Sequence, residues 1–211
     1  MMHSTLIPLI VMTALTLADS LPTTNQSQSS AWLDSGLVPS IIDAAPLHKL
    51  NIHFSSGVDV DLGNELTPTQ VKDKPEVSWP VDEDNKSWYT LLMIDPDAPS
   101  RVEPTYAQVF HWCIVNVPGN NVTAGQIVAD YMSSGPPPDT DLHRYTFLIF
   151  KQAFNIITDQ FIASNSRLGR THFDARQFIT KFSLGQPVAG NFYIAAYDDY
   201  VPIRNAGIVD W

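Results

Sequence analysis

Three distant segments of the chain place polar side chains at the ends of apolar runs. Asp95 ends the run LLMID, His111 lies within a second run, and a third run begins with His143 and Tyr145. A histidine in so apolar a strand must find a hydrogen-bond partner or face a cavity, because burying an unpaired polar group costs free energy. Taken singly, Asp95 is interpreted as a turn cap and His111 as a satisfied core histidine. Their repetition at strand ends favours a shared binding site.

The loop before His143 is stiff and acidic. It reads GPPPDTD from Gly135 to Asp141, and three consecutive prolines cannot pair in a central strand. Prolines 136–138 restrict the backbone, so a ligand held by this loop would order few additional residues on binding. The loop is therefore expected to deliver His143 to the start of its strand in a fixed position.

Two histidines and one aspartate could instead form a facial metal triad, which raises catalysis as an alternative. No spacing in the chain matches HExxH, and no G-x-S-x-G elbow of a serine hydrolase is present. The single cysteine, Cys113, lies in an apolar run and is interpreted as a buried small residue rather than a reactive thiol. We therefore expect a non-catalytic protein without a metal or cofactor.

The composition is that of a folded domain with an acidic surface. The chain has 211 residues, 44% of them apolar, which is enough for one domain with a substantial core. Its formal net charge of −10 makes nucleic acid and anionic membrane surfaces poor partners. The nearest approach to a basic cluster is the pair Arg167 and Arg170, so the sequence still allows a local positive pocket.

The N-terminal 34 residues are expected to lie outside the domain. An apolar run over residues 6–17 is too short to span a bilayer, and small residues follow it, so residues 1–20 are interpreted as a signal peptide. A buried N-terminal segment is the alternative. Residues 21–34 begin with LPTTNQSQSSA and are expected to form a flexible linker before a domain at 35–211.

Three N-x-S/T sequons also indicate export. They lie at Asn25, Asn85 and Asn121, which are candidate glycosylation sites, and Asn85 and Asn121 should therefore lie at the surface. A single cysteine excludes an intramolecular disulfide framework, so the domain must rely on its core. We expect a secreted protein with no transmembrane segment.

Strand signals dominate residues 35–211. Short aromatic and β-branched runs are separated by Pro or Gly, and KLNIHFSSGVDVDLG alternates on both sides of a Ser-Ser-Gly turn as a hairpin does. Two helices are predicted, one in NVTAGQIVADY from a capping box at Thr123, and one in THFDARQFITKF, where Thr171 and Asp174 offer a start. These signals predict a mainly β, antiparallel fold with a few peripheral short helices.

Within the second apolar run, strict alternation assigns side chains to faces. His111, Cys113 and Val115 would share one face of the strand, and Phe110 and Trp112 would lie on the other.

Four segments together resemble the phosphatidylethanolamine-binding protein family, which includes the Raf kinase inhibitor proteins and the plant flowering regulators. They are YTLLMIDPDAPSR, HWCIVNVPG, SGPPPDTDLHRYTFLIFKQ and PVAGNFYIAAYDDYVP, and the resemblance extends from Ser35 to Pro202. It implies an antiparallel β-sandwich with an exposed anion pocket for phosphorylated head groups such as that of phosphatidylethanolamine.

The resemblance also implies which residues line the pocket. They are Asp95, His111, Gly135, Pro136, His143 and Tyr145, with Asp97, Ser133 and Asp141 at its rim. Imidazole N–H groups, the Tyr145 hydroxyl and the Gly135 amide would donate to phosphate oxygens. Arg144 follows His143 in a strand and should point to the other face.

The chain departs from the family pattern around this pocket. Asp139 and Asp141 stand where the loop commonly has glycines, and Ser133 stands where a glycine is usual. Val109 occupies a place where tryptophan is common in animal members, and Asn205 one where an aromatic residue often covers the pocket. Carboxylates close to His143 would weaken phosphate binding unless they point outward. The departures therefore bear on ligand preference more than on the existence of a site.

The function predicted from the sequence is a secreted, non-catalytic protein that binds a small anionic or phospholipid head group. The alternative is an extracellular serine protease inhibitor or signalling modulator that acts through its surface.

Overall fold

The structure of the protein is a computed structural model, and it describes residues 26–82 and 86–209. Within these ranges the helices are α1 (Gln26–Asp34), α2 (Leu37–Ser40), α3 (Ala175–Lys181) and α4 (Tyr200–Ala206), with one 3-10 turn at Val122–Ala124. The strands are β1 (His48–Lys49), β2 (Asn51–Phe54), β3 (Val58–Asp59), β4 (Asn64–Glu65), β5 (Glu76–Ser78), β6 (Trp88–Asp95), β7 (Val109–Pro118), β8 (Gln126–Ala129), β9 (His143–Gln152) and β10 (Ala189–Ala195).

The strands form a large and a small sheet. The large sheet has the order β1-β10-β9-β6-β7-β8, and β4 also pairs with β10. Its central pairs are antiparallel, whereas β1 and β4 run parallel to β10. The small sheet has the order β3-β2-β5 and contains the predicted hairpin around the Ser-Ser-Gly turn. The predicted antiparallel β-sandwich with peripheral short helices is therefore confirmed.

Two apolar layers cover the two faces of the large sheet. The inner layer lies between the sheets and includes Ile52, Phe54, Leu91, Met93, Trp112, Ile114, Phe147 and Tyr193. The outer layer lies under helices α1 to α3 and includes Trp32, Leu37, Leu92, Ile94, Phe110, Cys113, Leu148, Phe150 and Phe192. Because both faces are buried, the central strands read as nearly continuous apolar runs in which neighbouring side chains enter opposite layers.

One of the two predicted helices is confirmed. Helix α3 begins after Asp174, whose side chain accepts a hydrogen bond from the backbone N–H of Gln177 at 2.9 Å. Phe173, Phe178 and Phe182 pack against the outer layer.

The helix predicted in NVTAGQIVADY is wrong. A 3-10 turn at Val122–Ala124 is followed by strand β8, which pairs antiparallel with β7. Gly125 lets the chain approach β7 closely, since a Cβ there would lie 2.5 Å from the Ile114 side chain. Pairing with the edge of the large sheet outweighs the local capping signal.

The predicted flexible linker at 21–34 is also wrong over its described part. From Gln26 the chain is helical, and Trp32 is 0% exposed, with its ring 5.2 Å from that of Phe192. Gln28 donates a hydrogen bond to the Pro46 carbonyl at 2.8 Å, which ties the helix to the domain. Burial of an indole against β10 supplies the stability that the polar composition of this segment conceals.

The remaining N-terminal predictions concern residues 1–25, which include the signal peptide and Asn25 and lie outside the described residues. Among the residues that are described, no helix is long and apolar enough to cross a membrane.

Candidate binding cavity

A cavity of about 530 Å³ lies at one end of the central strands of the large sheet, where β6 ends and β7 and β9 begin. Its polar lining includes Asp95, Tyr106, His111, Gly135, His143, Tyr145, Arg167, Arg170, Thr171, Tyr197, Arg204 and Asn205. Its apolar lining includes Ala98, Pro99, Val109, Met132, Pro137, Pro138, Val201 and Pro202. Antiparallel pairing brings the end of β6 beside the starts of β7 and β9, so the sheet holds side chains from three distant segments in one place.

His143 and Asp95 form a buried pair in the wall that the strands supply. The Nδ1 of His143 lies 2.8 Å from Oδ2 of Asp95, and both side chains are almost fully buried. The other carboxylate oxygen of Asp95 accepts a hydrogen bond from the backbone N–H of Asp97 at 2.8 Å. The aspartate therefore orients the imidazole, and its own two oxygens are satisfied by the protein.

The electrostatics of this pair follow from burial and proximity. Burial raises the pKa of Asp95, although the hydrogen bond to His143 opposes this. Burial alone would lower the pKa of His143, but the hydrogen bond and charge of Asp95 outweigh it and raise the pKa. The two groups are buried and hydrogen-bonded to each other, so they titrate as a coupled pair.

The second nitrogen of His143 is also engaged. Its Nε2 lies 3.1 Å from the Thr140 hydroxyl oxygen, and that hydroxyl donates to the Pro137 carbonyl at 2.7 Å. The hydroxyl oxygen therefore accepts from the imidazole N–H. Thr140 thus joins the proline loop to the part of the lining that the strands supply, which we call the strand wall: Asp95, His111, His143 and Tyr145. A ligand oxygen would reach Nε2 by displacing this hydroxyl.

His111 reaches the cavity because β7 contains a bulge. Met93 is opposite Trp112 and Ile94 is opposite Phe110, so His111 is an extra residue in the pairing. Its ring contacts Tyr145 edge to face at 5.3 Å, on the inner-layer side of the sheet, whereas Cys113 lies in the outer layer. The prediction that His111 and Cys113 share a face is therefore wrong.

The imidazole of His111 is a neutral acceptor. Its Nδ1 lies 2.7 Å from the Met132 carbonyl, so Nδ1 carries the proton and donates it there. Burial, followed by the nearby charge of Arg204, lowers the pKa of His111 to about 3. Nε2 consequently keeps a lone pair at physiological pH. The N–H that we expected to donate to a phosphate is already used within the protein.

The remaining predicted lining residues are only partly as expected. Burial raises the pKa of the Tyr145 hydroxyl well above its usual value, although the Gly135 amide opposes this as a hydrogen-bond donor. Gly135 lines the cavity, but Pro136 does not; Pro137 and Pro138 take its place. Tyr145 also stacks on Tyr193 at 5.0 Å, which fixes its ring.

None of the three predicted rim residues lines the cavity. Asp97 is buried beneath the strand wall, where its carboxylate binds the Arg144 guanidinium at 2.6 and 2.8 Å, so Arg144 does point to the other face. Ser133 contributes only its carbonyl, which accepts a hydrogen bond from Arg204 at 2.9 Å. Asp141 is exposed, as is Asp139, and the lining of the cavity contains neither carboxylate.

Sequence reasoning noted Arg167 and Asn205 separately but did not bring them together with Arg204 in one part of the lining, which we call the arginine wall: Arg167, Arg204 and Asn205. Both guanidinium groups donate a hydrogen bond of 2.8 Å to the same atom, Oδ1 of Asn205. Burial lowers the pKa of Arg204. The sequence pattern carries no signal that places Arg204 here, because it does not predict the seven-residue helix α4 that holds this residue.

Cys113 is buried and burial raises its pKa, which confirms its interpretation as a core residue. Asn121 is exposed beside the 3-10 turn, whereas Asn85 lies outside the described residues. Among residues 26–82 and 86–209, no group of three or more histidine, cysteine, aspartate or glutamate side chains could hold a metal ion.

Comparison with known proteins gives consistent matches. Residues 55–193 match the sequence profile of the phosphatidylethanolamine-binding protein family. The chain is 37% identical to the putative odorant-binding protein A5 of Drosophila melanogaster, a match that covers 79% of each protein. It is also 37% identical to a 26 kDa secreted antigen of Toxocara canis, over 77% of this chain and 62% of that relative.

Solved structures share the fold. The solution structure of the protein CG7054 is 48% identical, with a TM-score of 0.68, over 82% of this chain and 98% of that one. Carboxypeptidase Y inhibitor, crystallised with its cognate proteinase, is 24% identical with a TM-score of 0.69, over 82% of this chain and 96% of that one. The second likeness concerns the fold alone.

Proposed function

This chain belongs to the phosphatidylethanolamine-binding protein family, and on that premise we propose that it is a secreted, non-catalytic binding protein whose cavity takes a small ligand with an anionic head. Phosphorylated head groups, such as that of phosphatidylethanolamine, are the ligand class. The apolar remainder of such a ligand would contact the prolines and aliphatic side chains of the cavity.

One observation carries the proposal: a single cavity joins cationic and hydrogen-bonding groups to apolar walls. Arg167, Arg204 and the His143–Asp95 pair line it together with Val109 and seven other apolar side chains, including Pro137. Ligand sites in proteins commonly combine a mainly apolar surface with a few converging polar groups. Asp139 and Asp141, which could have repelled an anion, are exposed and absent from the lining.

The relatives support a binding role and export. One carries the name of a putative odorant-binding protein and another that of a secreted antigen. For this chain, secretion is checked by expression in animal cells, with recovery from the medium of a protein that has lost residues 1–20. Retention in the cytosol with these residues intact would contradict it.

The binding proposal is tested by calorimetric titration with O-phosphoethanolamine and inorganic phosphate. We expect His143→Asn to weaken binding about 10- to 100-fold, because a charge-assisted interaction with an anion is lost. His53→Ala is the matched control, since His53 is an exposed histidine of β2 paired with Asp59 and far along the chain from the cavity lining.

Asparagine is chosen at position 143 because its amide can still donate to Asp95, which keeps a buried carboxylate from being left without a donor. Thermal unfolding of each variant reports whether the domain stays folded. If the wild-type chain binds neither ligand, or if folded His143→Asn binds as the wild type does, the proposal is wrong.

The alternative of a protease inhibitor that acts through its surface stays a prediction. A panel of extracellular serine proteases, assayed with and without excess phosphate ligand, separates the two functions. Inhibition that is unchanged by ligand and by His143→Asn would favour the surface mechanism.

A further inference from the structure

Resting on the proposed function, we propose that the arginine wall is a second anion seat that sets ligand specificity. Within the class of phosphorylated head groups, the cavity prefers a doubly charged phosphate monoester carried on an apolar chain and binds a zwitterionic phosphodiester, such as the head group of phosphatidylethanolamine, more weakly. The seat comprises Arg167 and Arg204, held together by Asn205.

The geometry of the seat is that of two cations held side by side. Each guanidinium donates to Oδ1 of Asn205 at 2.8 Å, so one amide oxygen fixes both groups relative to each other. The charge of Arg167 also contributes to the lowered pKa of Arg204, which shows that the two cations repel. A ligand with two negative charges relieves this repulsion more than a ligand with one.

Arg204 has no ionic partner within the part of the chain that the structure describes. Its Nε donates to the Ser133 carbonyl at 2.9 Å and its Nη1 donates to Asn205. Among those described residues, Asp95 is the one carboxylate in the cavity lining, and it is paired with His143. A desolvated cation without a counter-charge is costly, so a bound anion would stabilise this arrangement.

Gly135 makes room for the seat. A Cβ at this position would lie 2.7 Å from Nη1 and 2.8 Å from Cζ of Arg204. Any other residue type would therefore push the guanidinium out of place without changing its charge. This contact offers a variant that moves the cation rather than removing it.

The rest of the cavity explains the apolar chain and the discrimination against a zwitterion. Val109, Met132 and Pro138 give the ligand an apolar surface. The ammonium of a zwitterionic diester would enter the same cavity of 530 Å³ that Arg167 and Arg204 line, and the two guanidinium groups would repel it. A phosphate monoester carries close to two negative charges above its second pKa of about 6 and brings no positive charge.

The test compares two probes of equal chain length by calorimetric titration at pH 8. Hexyl phosphate is the monoester and hexylphosphocholine is the zwitterionic diester. We expect the wild-type chain to bind the monoester at least about 10-fold more tightly, because an additional charge-assisted contact is made. Arg204→Gln should weaken monoester binding about 10- to 100-fold and diester binding by a clearly smaller factor, so that the preference for the monoester falls.

Three further variants isolate the seat. Arg204→Lys keeps the charge and should restore part of the affinity, while Gly135→Ala should weaken monoester binding by displacing Arg204. Asn205→Asp is nearly isosteric and puts a carboxylate between the two cations, so it should abolish the preference for the monoester. Arg176→Gln, which removes an exposed arginine paired with Asp43, is the matched loss of charge and should change neither affinity.

The outcomes separate this inference from the proposed function. If Arg204→Gln and Asn205→Asp bind both probes as the wild type does while His143→Asn loses binding, the anion seat is wrong and the binding function stands. Equal wild-type affinity for the two probes would also overturn the seat. If the wild-type chain binds no phosphorylated ligand, the proposed function itself fails.

Discussion

The two walls of the cavity differ in how their buried polar and charged groups are paired. The strand wall, formed by Asp95, His111, His143 and Tyr145, satisfies its polar groups internally: Asp95 is paired with His143, and His111 is neutral. The arginine wall brings two cations to one amide oxygen. The difference teaches that the histidines and the aspartate define the shape of the cavity, whereas its charge comes from a loop and helix α4.

The physical basis of the difference lies in what supports each wall. The strand wall belongs to β6, β7 and β9, which are fixed by sheet pairing and by apolar layers on both faces. The arginine wall belongs to α4, a helix of seven residues, and to a loop. Rigid elements tolerate buried, fully paired groups, while elements at the surface can present charge that a ligand completes.

The largest expected effect comes from breaking the strand wall from beneath. Asp97→Asn leaves the buried Arg144 without its carboxylate, which should lower the free energy of unfolding by about 3–5 kcal/mol. Denaturation with urea measures the change. Asp43→Asn removes the carboxylate of the exposed pair with Arg176 and should have no measurable effect. Equal effects of the two substitutions would show that the buried Asp97–Arg144 pair contributes no more to the free energy of unfolding than the exposed Asp43–Arg176 pair.

The next effect is the dependence of the free energy of unfolding on pH, which differs between His111 and His143. The folded-state pKa of His111 is about 3, below the unfolded value of about 6.5, so the unfolded chain binds more protons between these pH values. Stability contributed by neutral His111 is therefore lost as pH falls below about 6.5. Between pH 7 and pH 5 the expected loss is about 2 kcal/mol.

The sign for His143 is the reverse. Its pKa is raised, so the stability it contributes is present below the unfolded pKa and is lost as pH rises through the folded value. Urea denaturation from pH 5 to pH 8 separates the two windows, and the difference between wild type and His111→Asn isolates His111, because Asp95 titrates in both chains. Parallel stability curves for the two chains below pH 6.5 would contradict a neutral buried His111.

The smallest effect concerns the arginine wall in the absence of ligand. Asn205→Asp should raise the free energy of unfolding by about 0.5–1 kcal/mol, because a partly exposed carboxylate replaces an amide oxygen between two cations. Urea denaturation at low salt checks this, and 1 M salt should remove most of the gain. A destabilised Asn205→Asp chain would show that the two guanidinium groups are not poised for an anion.

Much of the strand wall could be predicted from the sequence. Asp95, His143 and Tyr145 are polar residues at the ends of apolar runs, and period-two alternation places His143 and Tyr145 on one face of their strand. The face of His111 could not be predicted, because a one-residue bulge leaves no trace in the hydrophobic pattern. Asp97 was misplaced at the rim because its partner Arg144 lies 47 residues away along the chain.

The arginine wall shows a different limit of sequence reasoning. Arg167 was noticed as part of a weak basic cluster, but Arg204 lies in a seven-residue helix that was not predicted. Both guanidinium groups reach Asn205 only because of the tertiary position of that helix, and the spacing of the residues along the chain does not predict this position. Short helices of this kind gain their stability from tertiary packing rather than from propensity.

The burial of Trp32 has a practical consequence for anyone dissecting this molecule. A polypeptide trimmed to start at Ser35 would retain every residue of the cavity, yet it would uncover the Phe192 ring and the Gly190 backbone on which the indole rests. Such an exposed aromatic surface invites self-association. Shortening the chain at that boundary is therefore expected to promote aggregation, although every residue that lines the cavity is retained.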